Sequence, residues 1–192
     1  AVFLSNTIII IRRFYKNVFG REGYLTNTLP VSAHQLILSK LLVAFILDII
    51  SSLVILLSIG IIAAFCLDMK DILLATSYFG QILKEIGAFY LFIPSTILSM
   101  IAGILFYYLC ISIGNLFNNN KVLMGFVAYF AIQAILFFIG FFFGLGAALT
   151  GDATYTAINN SSYIISLVQS LILIAASYFG TYYIMTKRLN LD

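Results

Sequence analysis

Long apolar stretches alternate with short polar segments along most of the chain. Four of them exceed the roughly 20 residues that a helix needs to cross a bilayer; they cover residues 41–67, 86–113, 122–149 and 163–186. Their apolar residues are continuous and do not alternate as in barrel strands. Because a backbone in hydrocarbon must pair its own polar groups, such stretches predict helices. We therefore predict an all-α fold, a polytopic transmembrane helical bundle with one domain over residues 1–192.

A fifth apolar run, Ala1–Ile11, is too short to cross a bilayer. The basic pair Arg12-Arg13 follows this run, whereas a signal peptide carries its basic residues ahead of the apolar run. The chain also starts without an initiator methionine. We therefore expect residues 1–12 to be the end of a truncated span, in addition to the four complete ones.

The composition indicates lipid, not water, as the surroundings of the chain. Hydrophobic residues make up 62% and charged residues 9%, and the mean hydropathy is +1.10. Soluble domains carry about 25% charged residues. These values exclude a soluble globular protein. They predict that the lipid bilayer covers most of the surface, and we expect no nucleic-acid partner.

The distribution of lysine and arginine predicts the orientation, because these residues accumulate on the cytoplasmic side. If the connections alternate between the two sides, only Lys70 and Lys84 fall on one of them. The other side holds Arg12, Arg13, Lys16, Arg21, Lys40, Lys121, Lys187 and Arg188. We therefore expect a multi-pass cell-membrane protein whose 13–40 segment, 114–121 connection and C-terminus lie in the cytoplasm.

Tyrosines and cysteines add detail to this topology. Four tyrosines fall near the inner ends of the predicted spans, where an aromatic belt is expected; they are Tyr107, Tyr108, Tyr182 and Tyr183. Cys66 and Cys110 fall near opposite faces of the membrane. We expect these two to be small buried apolar residues that form no disulfide.

Residues 71–86 carry apolar side chains at helical spacing. This pattern predicts an amphipathic helix in the outer membrane interface. An ordinary extracellular loop that packs on the bundle explains the pattern equally well. The apolar positions are Ile72, Ala75, Phe79, Ile82, Leu83 and Ile86.

The polar 13–40 segment contains a strong signal for a helix start. Ser32 can cap a helix while Gln35, three positions later, bonds back to it, and Pro30 just before favours a sharp break. A helix from Ser32 to Leu67 is about 50 Å long at about 1.5 Å per residue. Because the hydrocarbon core is about 30 Å thick, the first turns of this helix should project into the cytoplasm. A short helix over residues 22–28 could precede the break and run along the membrane face.

The same segment resembles the ABC-2 type permeases of Gram-positive bacteria, the membrane subunits of ATP-driven exporters. The runs that carry the resemblance are Phe14-Tyr15-Lys16-Asn17, Glu22-Gly23-Tyr24-Leu25, Thr28-Leu29-Pro30-Val31-Ser32 and Gln35-Leu36-Ile37-Leu38-Ser39-Lys40-Leu41-Leu42. The closing run Lys187-Arg188-Leu189-Asn190-Leu191 is also similar to the ends of many such permeases. The strong match covers about 30 residues of the chain, and the remainder agrees only in the pattern of spans.

The resemblance implies six spans, so that a first span and part of a second would be missing here. It also implies that the 13–40 segment is a cytoplasmic coupling segment that docks on a separate ATPase subunit. The contact residues carried over are Glu22, Gly23, Tyr24, Leu25, Thr28, Leu29 and Pro30. Arg21 departs from the acidic residue expected there. The alternative is a solvated interfacial segment whose basic residues bind anionic lipid.

Several motifs of catalysis are missing from the sequence. It contains no Gly-Lys dipeptide and hence no phosphate-binding P-loop, and neither HExxH nor GxSxG occurs. His34 is the only histidine, and we expect it to be a solvated residue. We therefore expect no enzyme activity, metal or cofactor in this chain; ATP would be bound by the partner ATPase.

Three polar residues inside the predicted spans are candidates for a substrate path. Asp48 lies two turns past Lys40, and an acidic residue at that depth is costly and a functional candidate by default. A structural, hydrogen-bonded Asp48 near the inner interface is the alternative. Gln133 and Gln169 are weaker candidates, because most such residues bond a neighbouring helix.

Gly140, Gly144 and Ala148 recur every four residues in the third complete span. Such small residues let helices approach closely. We expect a contact within the bundle; a dimer face is the alternative.

These observations lead to three functional hypotheses. The first is a permease subunit that pairs with a second permease subunit, as a homo- or heterodimer, and moves a peptide, lipid or drug-like molecule; this cargo rests on family analogy. The second is an ion-coupled secondary transporter that uses Asp48, although no internal repeat is visible. The third is a non-transporting membrane scaffold or sensor.

Overall fold

The computed structural model describes residues 2–18, 32–66, 68–85, 89–117, 120–149 and 160–187. Within these ranges the chain forms helices α1 (Val2–Val18), α2 (Ala33–Cys66), α3 (Met69–Glu85), α4 (Phe89–Gly114), α5 (Lys121–Leu149) and α6 (Asn160–Lys187). Four of them, α2, α4, α5 and α6, are long and apolar enough to cross a membrane. The all-α prediction is thereby confirmed for the described residues, and the four long apolar helices agree with a multi-pass membrane protein. The total of six spans and the truncation remain predictions.

The start of α2 confirms the predicted cap. The backbone N–H of Ser32 donates to Gln35 Oε1 at 3.2 Å, and the backbone N–H of Gln35 donates to Ser32 Oγ at 3.4 Å. These reciprocal bonds satisfy backbone donors that have no partner within the helix. The helix then runs for 34 residues, or about 50 Å at the usual rise. It is therefore longer than the hydrocarbon core is thick, as the sequence predicted.

Helix α1 continues past Arg12-Arg13 to Val18, so it is longer than the predicted 1–12 segment, and residues 13–18 are helical. Four of its residues, spaced every four positions, are almost completely buried: Asn6, Ile10, Phe14 and Val18. Arg12 and Arg13 are exposed. The basic pair therefore lies on the exposed face of the helix and does not end it. For this reason α1 extends beyond the predicted end at residue 12.

The apolar core lies where α1, α2, α4 and α6 meet. Its members are Ile10, Phe14, Val18, Leu36, Ile37, Ala44, Ile104, Leu105, Tyr108 and Met185. Helix α4 is central, because it packs on α1, α2, α5 and α6, and its contact with α6 is the most extensive. The core therefore includes the last turns of α1 and the first turns of α2, both of which belong to the segment predicted to be a polar connection.

Basic residues gather at this end of the bundle. Arg13 and Lys40 line one small cavity, and Lys121 lines a cleft beside Tyr15. Lys187 ends α6, five residues beyond Tyr182. We call this end, with Arg12, Arg13, Lys16, Lys40, Lys121 and Lys187, the basic end. Its six residues are the described members of the group predicted to face the cytoplasm.

Two glycines allow α4 and α5 to form a tight hairpin. A Cβ atom added to Gly114 would lie 2.6 Å from the Lys121 carbonyl oxygen and 2.7 Å from the Gly125 nitrogen. Asn120, just before α5, has a positive φ of 58°, a conformation that asparagine tolerates better than most residues. The close backbone contact therefore depends on the missing side chain at Gly114.

The outward surfaces of α2 and α5 are apolar and uncovered. None of the most apolar stretch of either helix is buried, and side chains such as Leu57 and Phe137 are about two-thirds exposed. A Cβ atom added to Gly140 would contact nothing. Within the described part of the chain, Gly140 therefore does not make the predicted contact in the bundle. The surroundings of Gly144 and Ala148 lie outside the description.

Two smaller predictions can also be compared with the structure. Residues 69–85 form helix α3, so a helix and not an irregular loop occupies most of the 71–86 stretch; its place in the membrane interface remains a prediction. Both cysteines are free, and Cys110 is buried as predicted. Cys66 is exposed, which contradicts the prediction, because it lies at the uncovered end of α2.

Candidate functional site

The seven predicted ATPase-contact residues lie outside the described residues. They are Glu22, Gly23, Tyr24, Leu25, Thr28, Leu29 and Pro30. The described structure instead shows what holds the two helices that flank the 19–31 connection. This connection joins the end of α1 to Ser32 and the start of α2.

Both flanking helices are packed tightly into the core next to the connection. Val18, the last residue of α1, and Ile37, in the second turn of α2, are each 0% exposed. The ring of Phe14 stacks on Tyr108 of α4, with the centroids 3.8 Å apart and the planes 8° from parallel. The ends of α1 and α2 are therefore fixed against α4 and do not project freely.

His34 links the first turn of α2 to α6. Its Nδ1 forms a hydrogen bond with the Tyr178 hydroxyl at 2.6 Å, and its ring stacks on Tyr182 with the centroids 4.1 Å apart. We expected a solvated histidine, and the side chain is indeed exposed, yet it also binds two tyrosines. Neither contact was expected: Tyr182 was assigned to the aromatic belt, and Tyr178 was assigned no role.

The aromatic-belt prediction is wrong for Tyr108, and for the other tyrosines it stays a prediction. Tyr108 is 1% exposed and belongs to the core. Tyr107 and Tyr182 are half-buried, and Tyr183 is exposed. Nearness to the end of a span does not decide whether a tyrosine lies in the core or on the surface of the bundle.

Asp48 has a partner that the sequence analysis did not find. Asn6 Nδ2 donates to Asp48 Oδ1 at 3.1 Å, and this bond joins α1 to α2. Asn6 is 6% exposed, whereas Asp48 is half-buried. The polar group Ser5-Asn6-Thr7, in the middle of an apolar run, was the available signal. The two residues are 42 positions apart, so spacing along the chain could not pair them.

Further polar groups lie beside this pair. The Tyr107 hydroxyl has Thr7 as its hydrogen-bond partner and lies within electrostatic range of Asp48. The Tyr107 ring also stacks on Tyr129 of α5, with the centroids 6.0 Å apart. We call Asn6, Thr7, Asp48, Tyr107 and Tyr129 the polar layer. Four helices, α1, α2, α4 and α5, contribute to it.

The members of the polar layer lie at similar depths. Asn6 is about 9 Å along α1 from Arg12, and Asp48 is about 12 Å along α2 from Lys40, at the usual helical rise. A charged carboxylate at such a depth needs polar partners or water. Asn6 supplies an N–H group to it, and the Tyr107 hydroxyl, bonded to Thr7, lies within electrostatic range. The layer could therefore receive a polar or cationic group that crosses the bundle.

The other two predicted path residues are not gathered around Asp48. Gln133 of α5 and Gln169 of α6 are both exposed on the outer surface of the described helices. Each could contact lipid or another protein chain from there. Of the three candidates, Asp48 alone is a member of the polar layer.

The seam between α4 and α6 contains hydroxyl groups as well. Ser177 and Thr181 of α6 are 1% and 0% exposed, and their hydroxyl oxygens form no hydrogen bond with any described residue. Ser112 of α4, also buried, donates to its own helix at the Tyr108 carbonyl. Buried hydroxyls without partners are uncommon; within the described residues, Ser177 and Thr181 contribute packing and no polar bond to this seam.

Taken together, these features define a multi-pass helical membrane protein with a polar layer near the basic end of its bundle. Neither protein-family models, nor curated proteins, nor solved structures provide a match to this chain.

Proposed function

We propose that this chain is the membrane-spanning permease subunit of an ABC-type exporter. A separate cytoplasmic ATPase would bind and hydrolyse ATP, and the 19–31 connection would transmit its movement. One observation carries the proposal: the segment that resembles a coupling segment is held at both ends by fully buried residues, Val18 and Ile37. The resemblance of the Glu22-Gly23-Tyr24-Leu25 run adds independent support.

Close packing beside the connection supports mechanical transmission. The cavity between α1, α2 and α4, lined in part by Phe14 and Tyr108, measures only about 10 Å³, which is at the lower limit for one water molecule. Tightly packed interiors have low compressibility and transmit strain. A force on the connection would therefore shift α1 and α2 against α4. His34 would carry part of that shift to α6 through Tyr178.

The polar layer connects this movement to transport. Asn6 and Asp48 lie on the two helices that the connection joins. A relative shift of α1 and α2 would change their hydrogen bond and the access to the carboxylate. The uncovered faces of α2 and α5 leave room for a second permease subunit. The cargo, a peptide, a lipid or a drug-like molecule, rests on family analogy.

Co-purification tests the proposal directly. An ATPase should purify with the chain, and Leu25→Asp or Pro30→Gly should release it, because both changes disrupt the docking segment. Leu73→Asp on α3, an exposed leucine away from the connection, is the matched control and should leave the ATPase bound. Loss of the ATPase in the control as well, or no ATPase in any preparation, would contradict the proposal.

Labelling in intact cells tests the orientation independently. Tyr24→Cys in a Cys66→Ser background should resist a membrane-impermeant thiol reagent, because residue 24 should face the cytoplasm. Cys66 in the native chain is exposed and should react from outside, which makes it the positive control. A residue 24 that reacts as readily as Cys66 would overturn the cytoplasmic assignment of the connection.

The partnered carboxylate favours a second candidate, an ion-coupled transporter that uses Asp48. Asp48→Asn keeps the size of the side chain and removes its charge. If the chain is an ion-coupled transporter, Asp48→Asn should abolish transport in vesicles that lack any ATPase. Transport that requires ATP and the ATPase would instead support the exporter.

A further inference from the structure

An open cleft lies between the end of α1 and the start of α5. It has a volume of about 740 Å³ and lies at the basic end of the bundle. Ligand pockets in proteins commonly fall between about 300 and 1,000 Å³. The cleft is lined by Tyr15, Asn120, Lys121, Val122, Leu123 and Phe126.

The lining has two chemically different parts. Tyr15, Asn120 and Lys121 present a hydroxyl, an amide and an ammonium group. Val122, Leu123 and Phe126, which follow on α5, are apolar and are 60%, 58% and 58% exposed. Hydrogen-bond donors and a positive charge therefore stand directly above an apolar surface that continues along the helix.

The position of the cleft on α5 matches the boundary that the sequence predicts between water and hydrocarbon. Lys121 is the first residue of α5, and the apolar part of the helix follows at once. Lysines at the ends of spanning helices extend toward the headgroup layer, and tyrosines concentrate there. The polar part of the cleft is thus at the level of the phosphates, and the apolar part is at the level of the acyl chains.

The surrounding charges favour an anionic ligand. Arg12 lies on the same face of α1 as Tyr15, one turn before it, and Lys16 follows Tyr15 in the chain; both basic residues are exposed. Apart from Asp48, the acidic residues in the described part of the chain lie in or next to α3. They are Asp68, Asp71 and Glu85. Little negative charge in the described part of the chain therefore opposes an anion at this cleft.

We propose that the cleft binds an anionic phospholipid. The lipid phosphate interacts with the Lys121 ammonium group and accepts hydrogen bonds from the Tyr15 hydroxyl and the Asn120 amide. One acyl chain lies along Leu123 and Phe126. A soluble phosphate would satisfy only the polar part, whereas a phospholipid also covers the apolar surface below it. This inference depends on insertion in a membrane and not on the proposed exporter function.

A fluorescent reporter in the cleft tests the proposal. The chain contains no tryptophan, so Phe126→Trp places a unique reporter in the cleft, and Phe65→Trp, at the distal end of α2, provides a control position. The full chain is reconstituted in vesicles of equal parts phosphatidylcholine and phosphatidylglycerol. Bromine atoms on the acyl chains of either lipid quench a tryptophan that they touch. Brominated phosphatidylglycerol should quench the Phe126→Trp reporter more than brominated phosphatidylcholine does, and both lipids should quench the Phe65→Trp reporter equally.

Charge variants then distinguish lipid binding in the cleft from general attraction of anionic lipid to the basic end. Adding Lys121→Gln should weaken the preference for phosphatidylglycerol about fivefold, the usual contribution of one lysine near a lipid surface. Lys187→Gln removes a charge from the same end but outside the cleft, and it should leave the preference intact. Soluble glycerol phosphate should not compete. Equal quenching by both lipids, equal effects of the two variants, or displacement by glycerol phosphate would each overturn the proposal.

Discussion

Helices α4 and α5 are similarly apolar, yet the bundle uses them in opposite ways. In α4, 44% of the most apolar stretch is buried, and in α5 none of it is. Helix α4 contacts α1, α2, α5 and α6, whereas α5 packs mainly on α4. Because lipid is as apolar as leucine, hydrophobicity cannot decide which of two such helices is buried. Shape has to contribute, and α4 makes close contacts at glycines: its Gly114 lies against Gly125 of α5, and its Leu109 lies against Gly180 of α6.

The comparison predicts that truncating an aromatic ring has very different effects on the two sides of the bundle. Phe14→Ala removes a ring that is 2% exposed and stacked on Tyr108 of α4. It should lower the free energy of unfolding by about 3 kcal/mol, the usual cost of a cavity at a buried phenylalanine. Phe137→Ala on α5, where the ring is 66% exposed, should have almost no effect. Unfolding in mixed micelles measures both, and equal losses would show that α5 is not a lipid-facing surface.

A pair of glycine substitutions tests the shape argument. Gly114→Val forces a side chain into the backbone of the α4–α5 hairpin, and overpacking of this kind costs about 1–3 kcal/mol. Gly140→Val on α5 adds the same atoms where nothing lies within 4 Å, so the monomer should keep its stability. The same unfolding assay applies. A destabilised Gly140→Val monomer would indicate a contact that the described helices do not contain.

The smallest expected effect concerns the polar layer. Asn6→Ala and Asp48→Ala, alone and combined, form a double-mutant cycle. The coupling free energy should be about 1 kcal/mol, because the two residues share one hydrogen bond inside the bundle. Gln133→Ala with Asp48→Ala provides the control, since Gln133 is exposed on α5, and should give no coupling. Additive effects in both cycles would mean that the Asn6–Asp48 bond does not form.

The sequence predicted the helices better than it predicted their neighbours. Long apolar stretches required helices of a certain length, and the Ser32 and Gln35 side chains located the start of α2 within a residue. Asp48 could be selected because a carboxylate is conspicuous in an apolar span. Its partner Asn6 could not, because the bond depends on how α1 packs against α2. Likewise, the burial of Tyr108 depends on the ring of Phe14, which lies far from it in sequence.

The seam between α4 and α6 has a consequence of its own. Ser177 and Thr181 make no bond to a described residue across or along it, so displacing one helix along the other breaks no polar link from these two hydroxyls. Among the described residues, the two helices interlock where Leu109 of α4 lies against Gly180 of α6. A shift of α6 along α4 therefore has to displace the Leu109 side chain, so the missing side chain at Gly180 helps to set the register of the two helices.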